Sequence, residues 1–483
     1  MTEGDSFIPD TVLHTYDGHD ATLAPEALEA LAAGLRGSLS LPVDPGYDRA
    51  RTVWNAMIDR RPGLVVHCRG ASDVQAAVRV AAAHRLLISV RSGGHNIAGA
   101  AVCDGGLLID LSGMTSVRVD PATGRVRVEP GATLGDLDRE TQAHGLAVPV
   151  GINSTTGIAG LTLGGGFGWT TRKLGMTVDT LVSADVVTAA GESVVASETE
   201  NPDLFWALRG GGGNFGVVTS FEFQAQPIGP DVLSGLIVHP LEAAPGLLRQ
   251  YRTIVEESPD ELTCWVVLRR APPLPFLPEE WHGKPVMVLA LCWVGDMAGG
   301  ERAVAPLRAL GTPIADVVGP HAFVDWEAAF DPLLEPGARN YWKSHDLAAL
   351  SDGAIDTLVD HVGRLPGPEC EVFIAHVGGA MSRVPPDATA YPYRDAHFIM
   401  NVHTRWRSPE EDADCIAWAR GLFDAMAPHA TGGVYVNFMP EDEAERTAGA
   451  YGPNLERLRA VKTRWDPENL FCVNQNIRPE PTR

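Results

Sequence analysis

Arg91-Ser92-Gly93-Gly94-His95-Asn96 follows the apolar run Leu86-Leu87-Ile88-Ser89-Val90 and leads, through a loop of small residues, to Leu107-Leu108-Ile109-Asp110-Leu111. Short apolar runs bounded by turn residues read as buried strands, so the hexapeptide joins two of them. Its adjacent glycines allow a sharp turn with several N–H groups aimed at one point. Such a concavity binds anions, diphosphates in particular, and would put His95 beside whatever the anion carries. A plain Gly-Gly turn with a surface histidine fits the same six residues.

Outward from this stretch the pattern is mixed. Pro25 to Arg36 and Tyr47 to Asp59 read as helices. Leu64–Cys68 and Leu87–Arg91 read as strands flanking a helix capped by Ser72. Val117–Val119 and Arg125–Glu129 flank a turn at Asp120-Pro-Ala-Thr-Gly124, and a Thr133-capped helix follows. The glycine-dense stretch Gly151 to Gly168 precedes a strand at Leu181–Thr188 and a helix opened by Asn201-Pro202; a strand at Val217–Gln224 ends at Pro227-Ile228-Gly229-Pro230. Proline and glycine clustering predicts a domain boundary there. Beyond it, strands at Cys264–Arg269, Val286–Val294, Glu371–Val377, Phe398–Arg405 and Val434–Phe438 alternate with helices at Leu247–Glu257, Arg302–Leu310, Asp352–Val362 and Asp412–Met426, an α+β mix with a largely antiparallel sheet. Glu441 to Arg464 reads as a charged helix, and the amide-rich tail after it as a packed segment. The predicted division is an N-terminal helical segment 1–59, a domain 60–229, a second domain 230–440 and a returning segment 441–483.

Composition excludes several classes. A hydrophobic content of 45% in 483 residues supports two or three cores, and a net charge of −23 argues against nucleic acid or an anionic membrane as partner. The seven cysteines show no C-x-x-C spacing, so neither a disulfide framework nor a metal site is expected. The acidic opening Met1-Thr-Glu-Gly-Asp5 is unlike a signal peptide, and the longest apolar run, Val286 to Val294, is too short for a bilayer. The expectation is a cytoplasmic protein, monomer or homodimer, acting on a small molecule.

Gly211-x-Gly213-x-x-Gly216 matches a dinucleotide fingerprint literally, but it leaves a helix and enters a strand, the reverse of the required order. What remains is an ordered series: Arg91-Ser-Gly-Gly-His95, Gly160-Leu-Thr-Leu-Gly-Gly-Gly-Phe-Gly168 and Asp466-Pro-Glu-Asn-Leu-Phe471. This series resembles the berberine-bridge-enzyme-like branch of the vanillyl-alcohol oxidase superfamily, from about Tyr47 onward. Its bacterial natural-product tailoring members, the enterocin flavoprotein type, are most similar.

The resemblance implies an α+β fold: a two-part PCMH-type FAD-binding domain, plus an α/β substrate domain whose large antiparallel sheet roofs the flavin. It implies FAD cradled by Arg91, Ser92, Gly93, Gly94, His95 and Asn96 and joined covalently to His95. A neutral imidazole suits that role, as a competent nucleophile near neutral pH. Thr156, Gly157, Gly160, Gly164, Gly165, Gly166, Gly168, Gly216, Val217, Asn474 and Asn476 complete the implied cofactor site. Many relatives carry a second, cysteinyl link; Asn153 stands in the matching stretch and has no thiol, so a single link is expected. Thr156 falls where the family controls oxygen access.

Oxidation at carbon needs a group that takes a proton from O–H or N–H. Val434-Tyr435-Val436-Asn437-Phe438 matches the family's Tyr-x-Asn-aromatic motif, which makes Tyr435 the base and Asn437 its companion by period-two alternation. Asn401 falls where plant members carry an acidic or amide base, and His403, on the same predicted strand face, and Tyr341 are expected in the substrate wall. The expected activity is oxidation of an alcohol, hemiacetal or amine carbon, with O2 as acceptor and peroxide as product. A dehydrogenase with another acceptor and a flavin-oxygenating enzyme are the alternatives.

Overall fold

The computed structural model describes residues 10–481, so the acidic opening at Met1 to Asp5 lies outside the described residues. The strand Ile88–Arg91 sits at the edge of a four-stranded sheet in the order Ser38–Ser40, Leu64–His67, Leu107–Asp110, Ile88–Arg91. The last three are parallel. A parallel neighbour obliges the connection at 92–106 to run back along the sheet, and this brings Ser92–Asn96 to the carboxyl end of the strands, where open parallel sheets bind ligands. The helix Ala71–His84 supplies the other crossover and buries Val74, Ala77, Val78 and Ala81, one stripe at helical spacing. Ser72 does not cap it. The helix begins at Ala71, and the Asp73 carboxylate collects the N–H groups of Arg69, Arg36 and Gly37 instead.

A second, antiparallel sheet of five strands runs Ser193–Ser197, Leu181–Val187, Val217–Gln224, Arg125–Val128, Val117–Asp120. Its core, built on Phe221, Phe223, Trp206 and Leu458, includes side chains from the helices Leu134–Gln142, Pro202–Leu208 and Leu455–Trp465. Thr133 caps the first of these with a reciprocal capping box to Asp136, as its sequence predicts.

The third sheet has eight antiparallel strands. Seven follow the order Ala315–Asp316, Asp231–Pro240, Pro285–Trp293, Leu262–Arg270, Glu371–His376, Phe398–Trp406, Arg339–Leu347, and Gly319–Ala322 pairs beside Asp231–Pro240. The helices Ala244–Glu256, Met297–Arg308, Asp352–Val362 and Asp412–Met426 cover one face. The other face presents aromatic rings to the glycine-rich segments: Trp169 packs 4.7 Å from Trp265 and 5.2 Å from Trp326. Burying rings of this size contributes ~1.5–3 kcal/mol each, so the sheet is clamped over the glycine-rich loops rather than tethered beside them. The whole is an α+β architecture with a large antiparallel sheet, as the resemblance implies.

Several expected elements differ. The strands Asp231–Pro240 and Arg339–Leu347 carry no clean alternation and were not anticipated. Tyr47–Arg51 is helical but the helix stops there, because Asn55 turns the chain to bond Asn340. Residues 434–438 are not a strand: Tyr435 is extended and Val436–Phe438 form a 3-10 turn. Glu441 to Arg464 is broken, Gly452-Pro453 separating Thr447–Tyr451 from Leu455–Trp465.

The tail is pinned by a buried ion pair. Lys462 Nζ reaches Asp466 at 2.6 Å and the carbonyls of Asn214 and Phe471 at 2.8 and 3.0 Å, while Asp466 accepts the N–H groups of Leu470 and Phe471. Both charges are fully buried, and complete hydrogen bonding is what makes that tolerable. Among the described residues no helix is long and apolar enough to cross a membrane, and no cluster of side chains could hold a metal ion.

Candidate active site

The Ser92–Asn96 loop is held from behind. Arg91 is buried and bridges Asp110 on the neighbouring strand, Nη2 to Oδ2 at 2.9 Å and Nε to Oδ1 at 3.1 Å, and donates to the Thr52 carbonyl. Burial pushes the Asp110 carboxyl up, but His67 and Arg91 outweigh it and hold it well below the usual carboxylate range. The Arg91 guanidinium is therefore a strut under the loop, not a ligand for an anion in front of it.

In front, the loop meets the second glycine segment backbone to backbone. A Cβ on Gly93 would lie 2.4 Å from the Gly157 nitrogen, and one on Gly157 would lie 2.3 Å from the Gly93 nitrogen. Only glycine permits that approach. His95 stacks on Trp54, with 5.1 Å between centroids and 19° between planes, and its Nε2 lies 3.1 Å from Thr155 Oγ1. Burial brings the imidazole down to about 4, so it is neutral at pH 7 with a lone pair available.

A single cavity runs from this loop to the aromatic face of the eight-stranded sheet. Of the expected cofactor residues, Ser92, Gly93, Gly94, His95, Asn96, Thr156, Gly157, Gly160, Gly216, Val217 and Asn474 line it. Gly212, Gly213, Asn214 and Gln475 join them. A Cβ on Gly160 or Gly213 would meet nothing within 4 Å, and the side-chain amide oxygen of Asn474 is buried without a partner. A cradle of peptide and amide groups, open where glycines stand, fits a dinucleotide diphosphate. Asn153 lies on the wall, and no cysteine does.

The remaining glycines pack around the Tyr435 end instead. Gly164 lies against the Asn437 amide, Gly165 against Met176, and Gly168 against the Val150 carbonyl. The Gly166 N–H donates to the Tyr435 hydroxyl at 3.0 Å. Asn476 does not reach the cavity.

Tyr435 is the best-defined group of the site. Its oxygen accepts from Gly166 N–H and from Asn437 Nδ2, each at 3.0 Å, while Phe167 and Phe438 pack edge-on at 4.9 Å. Both acceptor directions are taken by donors, so the phenol's own proton faces the cavity. Burial pushes the phenol up to about 12, and the two donors act against that rise. The Asn437 amide is oriented by a further bond to the Leu161 carbonyl. Tyr435 and Asn437 thus meet as expected, through a 3-10 turn rather than strand alternation.

On the sheet, His403 lines the cavity, its Nδ1 lying 3.4 Å from Glu371 Oε1 and its Nε2 3.3 Å from Asn340 Oδ1. Asn401, two residues before it, does not reach the wall: Phe438 packs on Phe373, its register partner, and the Asn401 amide is buried with neither atom bonded. Tyr341 is on the opposite face, bonded to Asp442 at 2.8 Å and Arg420 at 3.1 Å, and Trp342 takes the place expected of it. Successive residues of the strand Arg339–Leu347 point to opposite faces, and without that strand assigned, the sequence offered no means of choosing between them. Trp54, Trp265, Arg269, Glu371 and Phe373 also line the site and were not anticipated. Alternation groups Trp265, Val267 and Arg269 on one face, but not which face meets the cofactor.

Comparison with known proteins agrees with this geometry. Residues 62–197 match the FAD binding domain family, and residues 434–478 match the family described as berberine and berberine like. An FAD-linked oxidoreductase of Bacillus subtilis is 32% identical over 456 residues, covering 92% of this chain and 97% of its own. The (R)-6-hydroxynicotine oxidase of Paenarthrobacter nicotinovorans is 31% identical over 463 residues, covering 93% and 98%. The crystal structure of the Arthrobacter nicotinovorans 6-hydroxy-D-nicotine oxidase superposes with a TM-score of 0.83 at 31% identity, covering 92% of this chain and 98% of that one. The xylooligosaccharide oxidase of Myceliophthora thermophila gives 0.82 at 28%, covering 94% and 100%.

Proposed function

The chain belongs to the FAD-linked oxidoreductases that pair an FAD binding domain with a berberine-like segment, and on that premise we propose that it is an oxidase of an alcohol, hemiacetal or amine carbon. The flavin, once bound, supplies a two-electron acceptor that takes hydride and passes the electrons to O2, giving peroxide. Ser92–Asn96 and Gly157 would hold it, and His95 would carry the single covalent link. Its neutral ring supports that role, and Asn153 in place of a thiol supports one link rather than two. Thr156, small and on the cavity wall, leaves room for O2.

The observation that carries the reading is the double acceptance at Tyr435 in the same cavity as His95. Once the phenol has released its own proton to solvent, a substrate O–H or N–H placed at the vacated position gives up its proton to a phenolate that two donors stabilise, one of them the rigid peptide N–H of Gly166. Phe167 and Phe438 keep water from competing.

Oxidases among the relatives are named for hydroxynicotine, xylooligosaccharide and chitooligosaccharide, which brackets the reaction at C–O and C–N carbons. We keep the finer placement among bacterial tailoring oxidases, and the domain limits near 229 and 440, on the sequence pattern. A cytoplasmic setting is supported by seven free cysteines, six of them buried. The reading is tested by anaerobic reduction of the purified yellow protein with substrate, followed by mixing with air-saturated buffer. Reoxidation within the turnover time with stoichiometric peroxide is expected; reoxidation far slower than turnover rules out the oxidase.

A further inference from the structure

The substrate half of the cavity has a composition that selects among these substrate classes. Across the sheet, Arg269, Glu371, His403 and Trp342 are successive register partners and form one row. Arg269 Nη1 lies 2.7 Å from Glu371 Oε2, His403 lies on the other carboxylate oxygen, and His403 is bonded onward to Asn340. The row holds one cation, one anion and a histidine, all engaged with each other: it is polar, but its charge is balanced.

Everything else offered to a substrate on this side is apolar. The neighbouring positions facing the cavity are Val267 and Phe373, then Trp265, whose ring stacks on Phe373 at 5.7 Å and 11°. A proline-rich strap between the strands Leu262–Arg270 and Pro285–Trp293 packs beside them and is closed at its base by Ala271 N–H to Lys284 O and Gly283 N–H to Ala271 O, each 2.8 Å. Leu274, Phe276 and Leu277 of the strap reach into the cavity.

A disaccharide carries about eight hydroxyls, and each one buried without a partner lowers affinity by roughly tenfold. Arg269, Glu371 and His403 are committed to one another, and Tyr435 and Asn437 serve a single reacting group. A flat ring system loses nothing on such walls and gains by apolar contact with Val267, Phe373 and the strap side chains. An ionised group meets no uncompensated opposite charge in the low-dielectric space.

We propose that the oxidised molecule is a flat, largely apolar ring compound without net charge, with one polar group at the reacting carbon and at most one more at the Arg269–Glu371–His403 end, and that oligosaccharides are excluded. This rests on the assignment of the cavity as the oxidation site.

The test uses the flavin-loaded enzyme and three probes, 2-naphthalenemethanol, 2-naphthoate and xylobiose, titrated under anaerobic conditions while the visible flavin spectrum is followed. The expected result is a spectral shift with a Kd for the naphthyl alcohol at least 100-fold below that of xylobiose and at least 10-fold below that of the carboxylate. A disaccharide or carboxylate that binds as tightly as the alcohol, or an alcohol that does not bind, overturns the proposal. Bleaching of the flavin reports separately: naphthyl binding without bleaching counts against the oxidation reading at that carbon while the substrate class stands. Bleaching by xylobiose alone keeps the oxidation reading and removes the substrate class.

Discussion

Asn437 donates its side-chain amide to the Tyr435 hydroxyl at 3.0 Å, although Tyr435 precedes and Asn437 stands on a 3-10 turn rather than a strand. The amide and the Gly166 N–H together favour the ionised phenol, against burial that pushes it up to about 12. Tyr435→Phe should slow anaerobic flavin reduction by ~10²–10⁴-fold, with the visible spectrum retained. Asn437→Ala, which removes one donor, should cost ~10–10²-fold. Because the base form gains population as pH rises toward about 12, the wild-type reduction rate should climb with pH up to the limit of protein stability. That climb should be absent in Tyr435→Phe. Stopped-flow reduction between pH 6 and pH 10 checks both.

His95 carries the covalent link in our reading. In His95→Ala the flavin should pass into the supernatant on acid precipitation, while the wild-type pellet stays yellow. Wild-type flavin attachment should show little pH dependence above about 6 and fall as pH drops toward about 4, where the ring takes a proton. Mass spectrometry of the His95 peptide after incubating apo-protein with FAD reads this directly.

Gly93 and Gly157 touch through their backbones, so a methyl on either must push the two loops apart. Gly157→Ala should cost ~1–3 kcal/mol of stability and reduce flavin content several-fold, read from the flavin-to-protein absorbance ratio. Gly160→Ala, facing open space, should keep the stability of the wild type, read from its thermal midpoint.

Asp346 is buried with both carboxylate oxygens unpartnered, and burial, reinforced by Asp395, raises it to about 7. In the unfolded chain the same group ionises near ~3.9, so from there up to about 7 the unfolded state binds fewer protons and stability falls as pH rises. Asp346→Asn removes this liability. Its stability advantage over the wild type should grow between pH 4 and pH 7, level off above, and reach a few kcal/mol (~1.4 per pKa unit). Thermal unfolding at intervals across that range measures it.

Lys462→Met strands the Asp466 carboxylate in the interior. The expected cost is ~3–5 kcal/mol, with early proteolysis in the segment beyond Trp465, because the N–H groups of Leu470 and Phe471 bond the same carboxylate. Limited proteolysis of the folded variant locates the cut.

The loop at Ser92–Asn96, the glycine segment after it and the Asp466–Phe471 tail were legible because their roles are local. Glycine is required where backbones touch, and an aspartate is required where tail N–H groups turn inward. Tyr435 and Asn437 were also legible, as a spacing, though the conformation that unites them was misread. Arg91 misled because a buried arginine and a ligand-binding arginine look alike until Asp110, on another strand, is brought beside it. Asn401 misled for a related reason: it shares a strand face with His403, but the cavity wall at that level is made by its register partner Phe373, with Phe438 of a distant segment packed on it.

By itself the sequence determined the glycine-rich loop at Ser92–Asn96, the glycine segment that meets it and the Tyr435–Asn437 pair, because each depends on residues within a few positions of one another. Only the tertiary structure decided the sheet side of the cavity. Arg269, Glu371, His403 and Trp342 form a row through hydrogen-bond register between four strands, and register is set by how whole faces are buried, which no single stretch of chain contains.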